Sequence, residues 1–532
     1  MTRSLSLAFS PRFICLTLAL LLALGFGAAL LISPGFWTGL GFVIAAALSA
    51  VGLRDLFHPS HAILRNYPIA AHLRFIMEEI RPEMRQYFFE DEKHGTPFSR
   101  DKRAIVYQRA KKQLDKRPFG TQYDVYETGF EWLQHSLAAR APAHDLPRIL
   151  IGGPACTKPY STSLLNISAM SFGSLSANAI RALNQGAKRG GFAHDTGEGG
   201  LSPYHREASG DLIWEIGSGY FSARNPDGSF SPERFAEMAA LDQVKMVELK
   251  LSQGAKPGHG GVLPAAKVSA EIAATRGVAM GQDCVSPPAH TAFATPVEMM
   301  RFIAEMRRLS GGKPAGFKLC IGHAWEFLAI CKAMIETGIA PDFIVIDGAE
   351  GGTGAAPLEF MDHIGMPLRE GLSFAHNALI GIGLRDQIKL GASGKIATAF
   401  DMARALALGA DWCNAARGFM FSIGCIQSLS CHTDLCPTGV ATQDPTRQRA
   451  LRVADKAPRV HQFHAATLEA LNELVAAAGL SHPSELRAAH FNRRVSSSQV
   501  NSFAELYPPL AQGALLSVTD DARFAEAWAL AD

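Results

Sequence analysis

The nine cysteines of this 532-residue chain include no C-x2-C pair. That removes the usual knuckle of structural zinc and the tight spacing of a four-iron cluster. The chain has no arginine-rich or aromatic-basic tract, and its 51 basic residues stand against 49 acidic ones. A net charge of +2 with both signs interspersed offers no basic face, so nucleic acid is set aside as a partner. No G-x-G-x-x-G separates an expected strand from an expected helix, so a dinucleotide-binding half for NADPH is not expected. Charge is wholly missing from residues 13–33 and 36–53.

Each uncharged stretch is close to the ~20 residues that cross a bilayer core. Only Ser33-Pro34-Gly35 separates them, which reads as a transmembrane hairpin. Arg3 and Arg12 precede it and Arg54, Arg65 and Arg74 follow it, so both ends are placed in the cytoplasm. The expectation is a two-helix, multi-pass protein of the cell membrane with its large C-terminal part cytoplasmic. A re-entrant pair is one competing reading, and a signal peptide ending near Gly27-Ala28-Ala29 is another.

Beyond residue 54 the composition turns charged. Residues 72–92 show helical spacing interrupted by Pro82, and residues 100–116 form a second basic-polar helical stretch. They suggest a juxtamembrane collar over 55–150 whose Lys and Arg face either water or anionic headgroups.

After residue 150, short apolar runs occur at 164–170, 192–196, 245–251, 283–286, 315–321, 342–347, 388–392 and 411–415. Helical patterns at 176–189, 265–276, 296–309, 324–337 and 397–408 lie between many of them. This alternation predicts an α/β fold with a parallel sheet, and eight units favour a (β/α)8 barrel over an open sheet. The domain plan is a hairpin at 1–54, the collar at 55–150, the barrel at 151–443 and a small helical C-terminal cap at 444–532.

The active site of such a barrel lies where strands end. Six of the expected strand ends run into unusual sequence: Met170-Ser171-Phe172-Gly173-Ser174, Thr196-Gly197-Glu198-Gly199-Gly200, the run from Gln253 to Gly261, the run from Asp347 to Gly354, Ser393-Gly394-Lys395, and Ala416-Arg417-Gly418. Glycine lets a backbone approach a ligand closely. The last two ends are where barrels bind phosphate, through loop amides and a short helix.

Ten residues past the eighth run stands Cys425-x5-Cys431-x4-Cys436. Three thiolates suit a [3Fe-4S] cluster. Three buried unliganded thiols, or zinc with His432 as fourth ligand, are the alternatives. The other six cysteines sit at no regular spacing and read as core thiols, not a disulfide framework.

The segments QGAKPGHGG, FKLCIG, DGAEGGTGAAP, LALGAD and GCIQSLSCHTDLCPTGVATQ make the region from about 166 to 443 resemble the FMN-binding synthase domain of glutamate synthase. The resemblance implies a (β/α)8 barrel holding FMN, a [3Fe-4S] cluster on Cys425, Cys431 and Cys436, and reductive amination of 2-oxoglutarate to glutamate by way of 2-iminoglutarate. It implies that Lys256 and Arg276 hold substrate carboxylates, that Glu198 and Gln253 line the site, that Lys318 approaches the flavin N1/O2 edge and that His290 lies near the flavin. Ala169, Met170, Ser171, Gly352 and Thr353 are expected along the cofactor, and Ser393, Gly394, Arg417 and Gly418 at its phosphate. Ordinary solvated charge is the alternative for each Lys and Arg, and hydrogen-bonded structure for His290.

Two departures stand out. His259 and Val262 occupy positions where these enzymes usually carry Glu and Gln, which opens a variant acting on another oxo-acid or on methylamine, as in N-methylglutamate synthesis. The glutaminase domain of the familiar enzyme is replaced by the hairpin. Ammonia is therefore expected from a separate amidotransferase or free ammonium, and electrons from a ferredoxin or reductase partner. A membrane-tethered flavin/iron-sulfur electron carrier or redox sensor is the reading from a different class.

Overall fold

A computed structural model describes residues 7–517 and 521–531; Arg3, used above to orient the hairpin, lies outside them. Two compact units are present, Met1–Asp91 and Glu92–Asp532.

The first unit is built on two helices, Ile14–Ile32 and Phe36–Leu56, both long and apolar enough to cross a membrane. Glycines let them pack closely: a Cβ at Gly41 would lie 2.7 Å from the Phe26 ring, and one at Gly52 2.7 Å from Leu16. The turn between them is fixed by the Thr38 hydroxyl, which accepts from the Gly35 N–H at 3.0 Å.

The second unit contains a closed barrel of eight parallel strands. In chain order they are β1 (Leu165–Ile167), β2 (His194–Asp195), β3 (Leu212–Ile216), β4 (Val244–Lys250), β5 (Ala315–Leu319), β6 (Phe343–Asp347), β7 (Lys389–Ser393) and β8 (Trp412–Ala415). Each pairs with its successor, and β8 closes on β1 with Asn414 opposite Asn166. Helices Pro296–Leu309 and Ala324–Thr337 fall where the periodicity puts them.

The expected strand at 283–286 is not part of the barrel. Its Cys284–Val285 pairs antiparallel with Val262–Leu263 in the long excursion after β4. The missing barrel strand is β3, the five-residue run LIWEI, set among turn residues from Ser209-Gly210-Asp211 to Gly217-Ser218-Gly219. The eight-strand count survives because one omission and one false strand cancel.

The two ends of the barrel differ chemically. At the end where the strands begin, Ile213, Met246, Phe343, Val345 and Trp412 cluster with Ile151 and Tyr160 of an antiparallel hairpin, Arg148–Ile151 with Tyr160–Ser163. Below them Asp342 accepts from Arg307 Nε and the Ala315 N–H, both at 2.8 Å, and from the Gly153 N–H at 2.7 Å. An apolar plug at this end leaves the opposite end for ligands. The C-terminal region adds the long helix Val453–Ala477 and two strands, Phe491–Arg494 and Val500–Ser502, that continue a sheet begun by Glu131–Leu133.

Helix Arg100–Ala110 is tied to the barrel layer by Lys102, whose ammonium lies 2.9 Å from Asp401 Oδ1. Asp401 is 3% exposed and also caps its own helix, accepting from the Thr398 and Ala397 N–H groups. Burial alone would raise its carboxyl, but the charges of Lys102 and Arg404 and these hydrogen bonds hold it below the usual range. A depressed carboxyl contributes stability above its unfolded pKa and loses it as the pH falls through the folded value. Asp401→Ala should therefore cost roughly 1–3 kcal/mol in denaturant melts at pH 7, the price of leaving buried donors unmet. The gap to wild type should close as the melts are repeated toward pH 3 (~1 unit below a free Asp).

Candidate functional site

The C-terminal ends of the strands surround one open cavity of about 1000 Å3 including its mouth. Ala169, Met170 and Ser171 after β1, Glu198 after β2, Gln253 and Lys256 after β4, Arg276, Gly352 and Thr353 after β6, Arg417 after β8, and Cys431 all line it. Glycine is required in two of these loops. Gly197 has φ +66° and a Cβ there would lie 2.7 Å from the Ser171 nitrogen, while a Cβ at Gly254 would meet the Gly348 carbonyl at 1.8 Å.

Charge in the cavity is unbalanced: Lys250, Lys256, Lys267, Arg276 and Arg417 line it against only Glu198 and Glu215. Lys250 lies 2.8 Å from Glu198. Burial would raise the Glu198 carboxyl, yet Lys250, Arg276 and Lys256 keep it ionised and below its usual range. Lys256 is 2% exposed and donates to the Gly260 carbonyl at 2.7 Å. Desolvation lowers its pKa and the neighbouring Lys250 adds to that, with Glu198 opposing. Arg276 donates to the Phe172 carbonyl at 3.2 Å and packs over the Phe221 ring at 5.1 Å, but its buried Nε has no partner. An unmet buried guanidinium donor facing an excess of cations describes a receptor for an anion.

Lys318 does not line the cavity. It sits one layer deeper, 4% exposed, paired with Glu215, with Glu248 at 3.3 Å and with Asp195 at 4.0 Å. The three carboxylates are close enough together to hold a cation, and the Lys318 ammonium is that cation. Three buried acids around one ammonium are over-supplied with negative charge, so the cluster retains protons. Desolvation pushes Asp195 up to about 7 and Glu248 well above its usual range, with Lys318 opposing; burial would lower Lys318, but the three acids raise it. Glu215 is the member of this cluster that reaches the cavity wall.

His290 is likewise outside the cavity. Its Nε2–H donates to the Lys250 carbonyl at 2.8 Å and its Nδ1 faces the Tyr220 hydroxyl at 3.1 Å. That hydroxyl accepts from the Thr291 and Ala292 N–H groups, so it donates to the histidine. Burial pushes the imidazole down to about 4, and a neutral ring fixes the backbone from which Lys250 projects. Val262 lines the cavity; His259 instead bonds the Gly260 carbonyl at 2.9 Å and packs edge-on against Phe360.

At the β7–β8 side, the Ser393 and Ser168 hydroxyls are 3.3 Å apart and Arg417 donates to the Gly352 carbonyl at 3.0 Å. Ser393 pairs in register with Asn414, which sets Gly394, Arg417 and Gly418 on adjacent strand ends. None of Ser393, Gly394 and Gly418 lines the cavity itself.

The loop after β8 carries the three cysteines and brings Cys431 to the cavity wall. Cys431 abuts Gly354, where a Cβ would lie 3.2 Å from its own. Cys425, beside it, is pushed up to about 11, chiefly by burial, with the charges of Cys431 and Cys436 adding. Cys436 is the opposite case: burial would raise its thiol, but N–H groups of Ala441, Thr438 and Val440 and the Thr438 hydroxyl bring it below its usual value. Gln427, Leu429 and Asp434 all have positive φ in this loop. The loop is held by the Gln427 side chain, which accepts from the Phe98 N–H and donates to the Thr96 and Phe98 carbonyls. All nine cysteines are free.

A family model described as a conserved region in glutamate synthase matches residues 155–481, which contain the whole barrel, the cavity and the cysteine loop. The chain belongs to the glutamate synthase family. It is 39% identical over 478 residues, 82% of this chain and 91% of the relative, to the glutamate synthase large subunit-like protein YerD of Bacillus subtilis (strain 168). It is 34% identical over 322 residues to the archaeal glutamate synthase (NADPH) of Methanocaldococcus jannaschii, covering 60% of each. It is 32% identical over 363 residues to the glutamate synthase (NADPH) large chain of Bacillus subtilis, covering 64% of this chain but 22% of that one. Family membership makes the protein an oxidoreductase of the class acting on CH-NH2 donors.

Glu215, Lys250 and Lys267 are the charged site residues that sequence reasoning missed. Glu215 was hidden with β3. Lys250 carried a usable signal, a lysine closing the strand VKMVELK.

The buried cluster makes two measurable demands. Lys318→Ala should destabilise the protein by roughly 3–5 kcal/mol, because it strands buried acids without their cation, whereas Glu248→Gln should cost no more than about 1. Asp195 binds a proton in the folded state that the unfolded chain has released between the free value of 3.8 and about 7, so stability falls with rising pH across that window. Asp195→Asn should flatten that slope in denaturant titrations at pH 4.5 to 7 (about the span between free and folded values).

Proposed function

We propose that the cavity is the active site of an FMN and [3Fe-4S] oxidoreductase that reductively aminates 2-oxoglutarate to glutamate through 2-iminoglutarate. Ammonia and electrons are supplied from outside the chain. The observation that carries this reading is the excess of five cations over two carboxylates in a strand-end cavity whose rim is the cysteine loop. A dicarboxylate oxo-acid is the substrate class such a cavity receives.

The donor set fits the cofactors the family implies. Ser393, Gly394, Arg417 and Gly418 lie on the adjacent β7 and β8 ends and would hold a phosphate. Ala169, Met170, Ser171, Gly352 and Thr353 would supply a close backbone wall for the ring system, and Glu215, paired with the deeper Lys318, lies at the cavity floor. When bound, FMN supplies hydride chemistry. Cys425, Cys431 and Cys436 would hold the cluster, with Lys267, whose ammonium feels Cys431 and Cys436, balancing thiolate charge. A cluster there supplies electrons singly.

The chain's own residues do the rest. Lys256 and the free Arg276 Nε hold the two carboxylates of the oxo-acid, and Gln253 orients its carbonyl. Glu198, kept ionised by Lys250, accepts a hydrogen bond from ammonia arriving as the free base. The amine then adds to the carbonyl carbon, and water leaves as the imine forms. Reduction of the imine would also need a proton at its nitrogen, and the buried acids Asp195 and Glu248, which retain protons beneath the cavity, would be its source. Val262 on the wall favours a second reading, in which the side chain of the oxo-acid differs from that of 2-oxoglutarate. The helices Ile14–Ile32 and Phe36–Leu56 anchor the enzyme in a membrane.

Anaerobic, photoreduced protein mixed with 2-oxoglutarate and ammonium should regain its oxidised flavin absorbance. Methylamine and other oxo-acids tested in parallel assign the substrate, and failure with every pair would refute an aminating enzyme. Lys256→Ala should retain flavin and raise the oxo-acid concentration needed by roughly 30- to 150-fold, the loss of a charge-assisted bond worth ~2–3 kcal/mol. Cys431→Ser should lose the cluster's visible absorbance, and full iron content in that variant would overturn the ligand assignment.

A further inference from the structure

The unit Met1–Asp91 carries a second apolar feature outside its two long helices. The chain is helical over Ala70–Glu79, Arg81–Met84 and Arg85–Phe89. Bonds from the Ile80 N–H to the Ile76 carbonyl and from the Met84 N–H to the Ile80 carbonyl, both 3.0 Å, carry the ladder across the joints. The result is a helical rod of about 20 residues, bent at Ile80 and widened to a π-helix over Arg85–Phe89.

Leu73, Ile76, Met77, Ile80, Met84 and Phe88 recur along it at steps of three or four residues with one adjacent pair, the spacing of a single helix face. All six are exposed, from 37% at Met84 to 75% at Phe88. An apolar face of this size is not left to water in an ordinary surface helix. Away from the stripe, Arg74 and Glu78 form an ion pair at 2.8 Å and the Phe75 ring meets His61 edge-on at 5.1 Å, while Tyr87 and Phe89 add exposed aromatic surface at the far end.

The start of the rod is bolted to the foot of the helix Phe36–Leu56. Asp55, 1% exposed, accepts from the Ile69 N–H at 3.0 Å and pairs with His72 Nε2 at 2.8 Å. The Ile69 side chain fills the space above Gly52, where a Cβ would come within 3.0 Å of it. The exposed stripe therefore begins where a membrane-length apolar helix ends, and Arg74, Arg81 and Arg85 alternate with it along the rod.

We propose that this rod lies in the plane of the membrane interface as a third lipid-binding element. Its stripe sits at the boundary of the acyl chains and its arginines at headgroup level. This rests on the membrane anchoring proposed above. Lipid is the occupant the structure favours, because the stripe continues the apolar surface of the hairpin to which it is fastened.

The test is photo-crosslinking of the full chain reconstituted in vesicles of phosphatidylethanolamine and phosphatidylglycerol. A diazirine amino acid replaces Leu24, Ile76, Phe88 or Glu79, one at a time, and adducts are read by mass spectrometry. Lipid adducts from Leu24, Ile76 and Phe88 with none from Glu79 are expected. Lipid at Leu24 with only protein adducts or water quenching at Ile76 and Phe88 overturns the in-plane rod while leaving the anchor intact. Protein adducts joining two copies would assign the stripe to self-association instead. Loss of lipid adducts at Leu24 as well sinks the anchor itself.

Discussion

One ammonium ion organises this enzyme's barrel. Lys318 on β5 is shared by Glu248 on β4, Glu215 on β3 and Asp195 on β2, so four consecutive strands converge on a single buried charge. Taking that charge from water costs several kcal/mol, which only well-placed partners offset. Register supplies the placement: Glu215 lies opposite Glu248, and Lys318 opposite Lys250. The same register that closes the barrel therefore builds the polar floor of the cavity.

From that floor the site rises in layers. Above Lys318 the second lysine of the register pair, Lys250, holds Glu198 ionised, and neutral His290 fixes the Lys250 backbone from behind. Above these, the loops bring Lys256 and Arg276 to the cavity wall with Glu198, and cations outnumber carboxylates there. The cysteine loop closes one side, and its strained residues stay in place because Gln427 ties it to the segment around Phe98. Polarity is thus graded through the barrel, apolar where strands begin and cationic where they end.

Much of this was legible in the sequence, for a physical reason. Glycine clusters at strand ends mark close backbone approaches, and Gly197 and Gly254 prove to be positions a Cβ cannot enter. Helix Pro296–Leu309 announces itself by its Thr295 and Glu298 capping box and amphipathic spacing. What stayed hidden was what local pattern does not report. β3 was passed over as a five-residue run between two turn-rich stretches, and the apolar run at 283–286 was mistaken for a strand of the barrel because apolarity does not say which sheet a segment joins. The partners of Lys318 come from strands 70 to 123 residues away in sequence, as Glu248 and Asp195 lie from it, and no local pattern reports such a meeting.

The central claim is that the cationic strand-end cavity aminates an oxo-acid with externally supplied ammonia. The most direct measurement is incubation of the chemically reduced full chain with 2-oxoglutarate and 15N-ammonium under anaerobic conditions, with the amino acid product read by mass spectrometry. The account expects 15N-glutamate in amounts that rise with the reducing equivalents supplied. Absence of any 15N-labelled amino acid, while reduced flavin persists and the oxo-acid is unchanged, would contradict it.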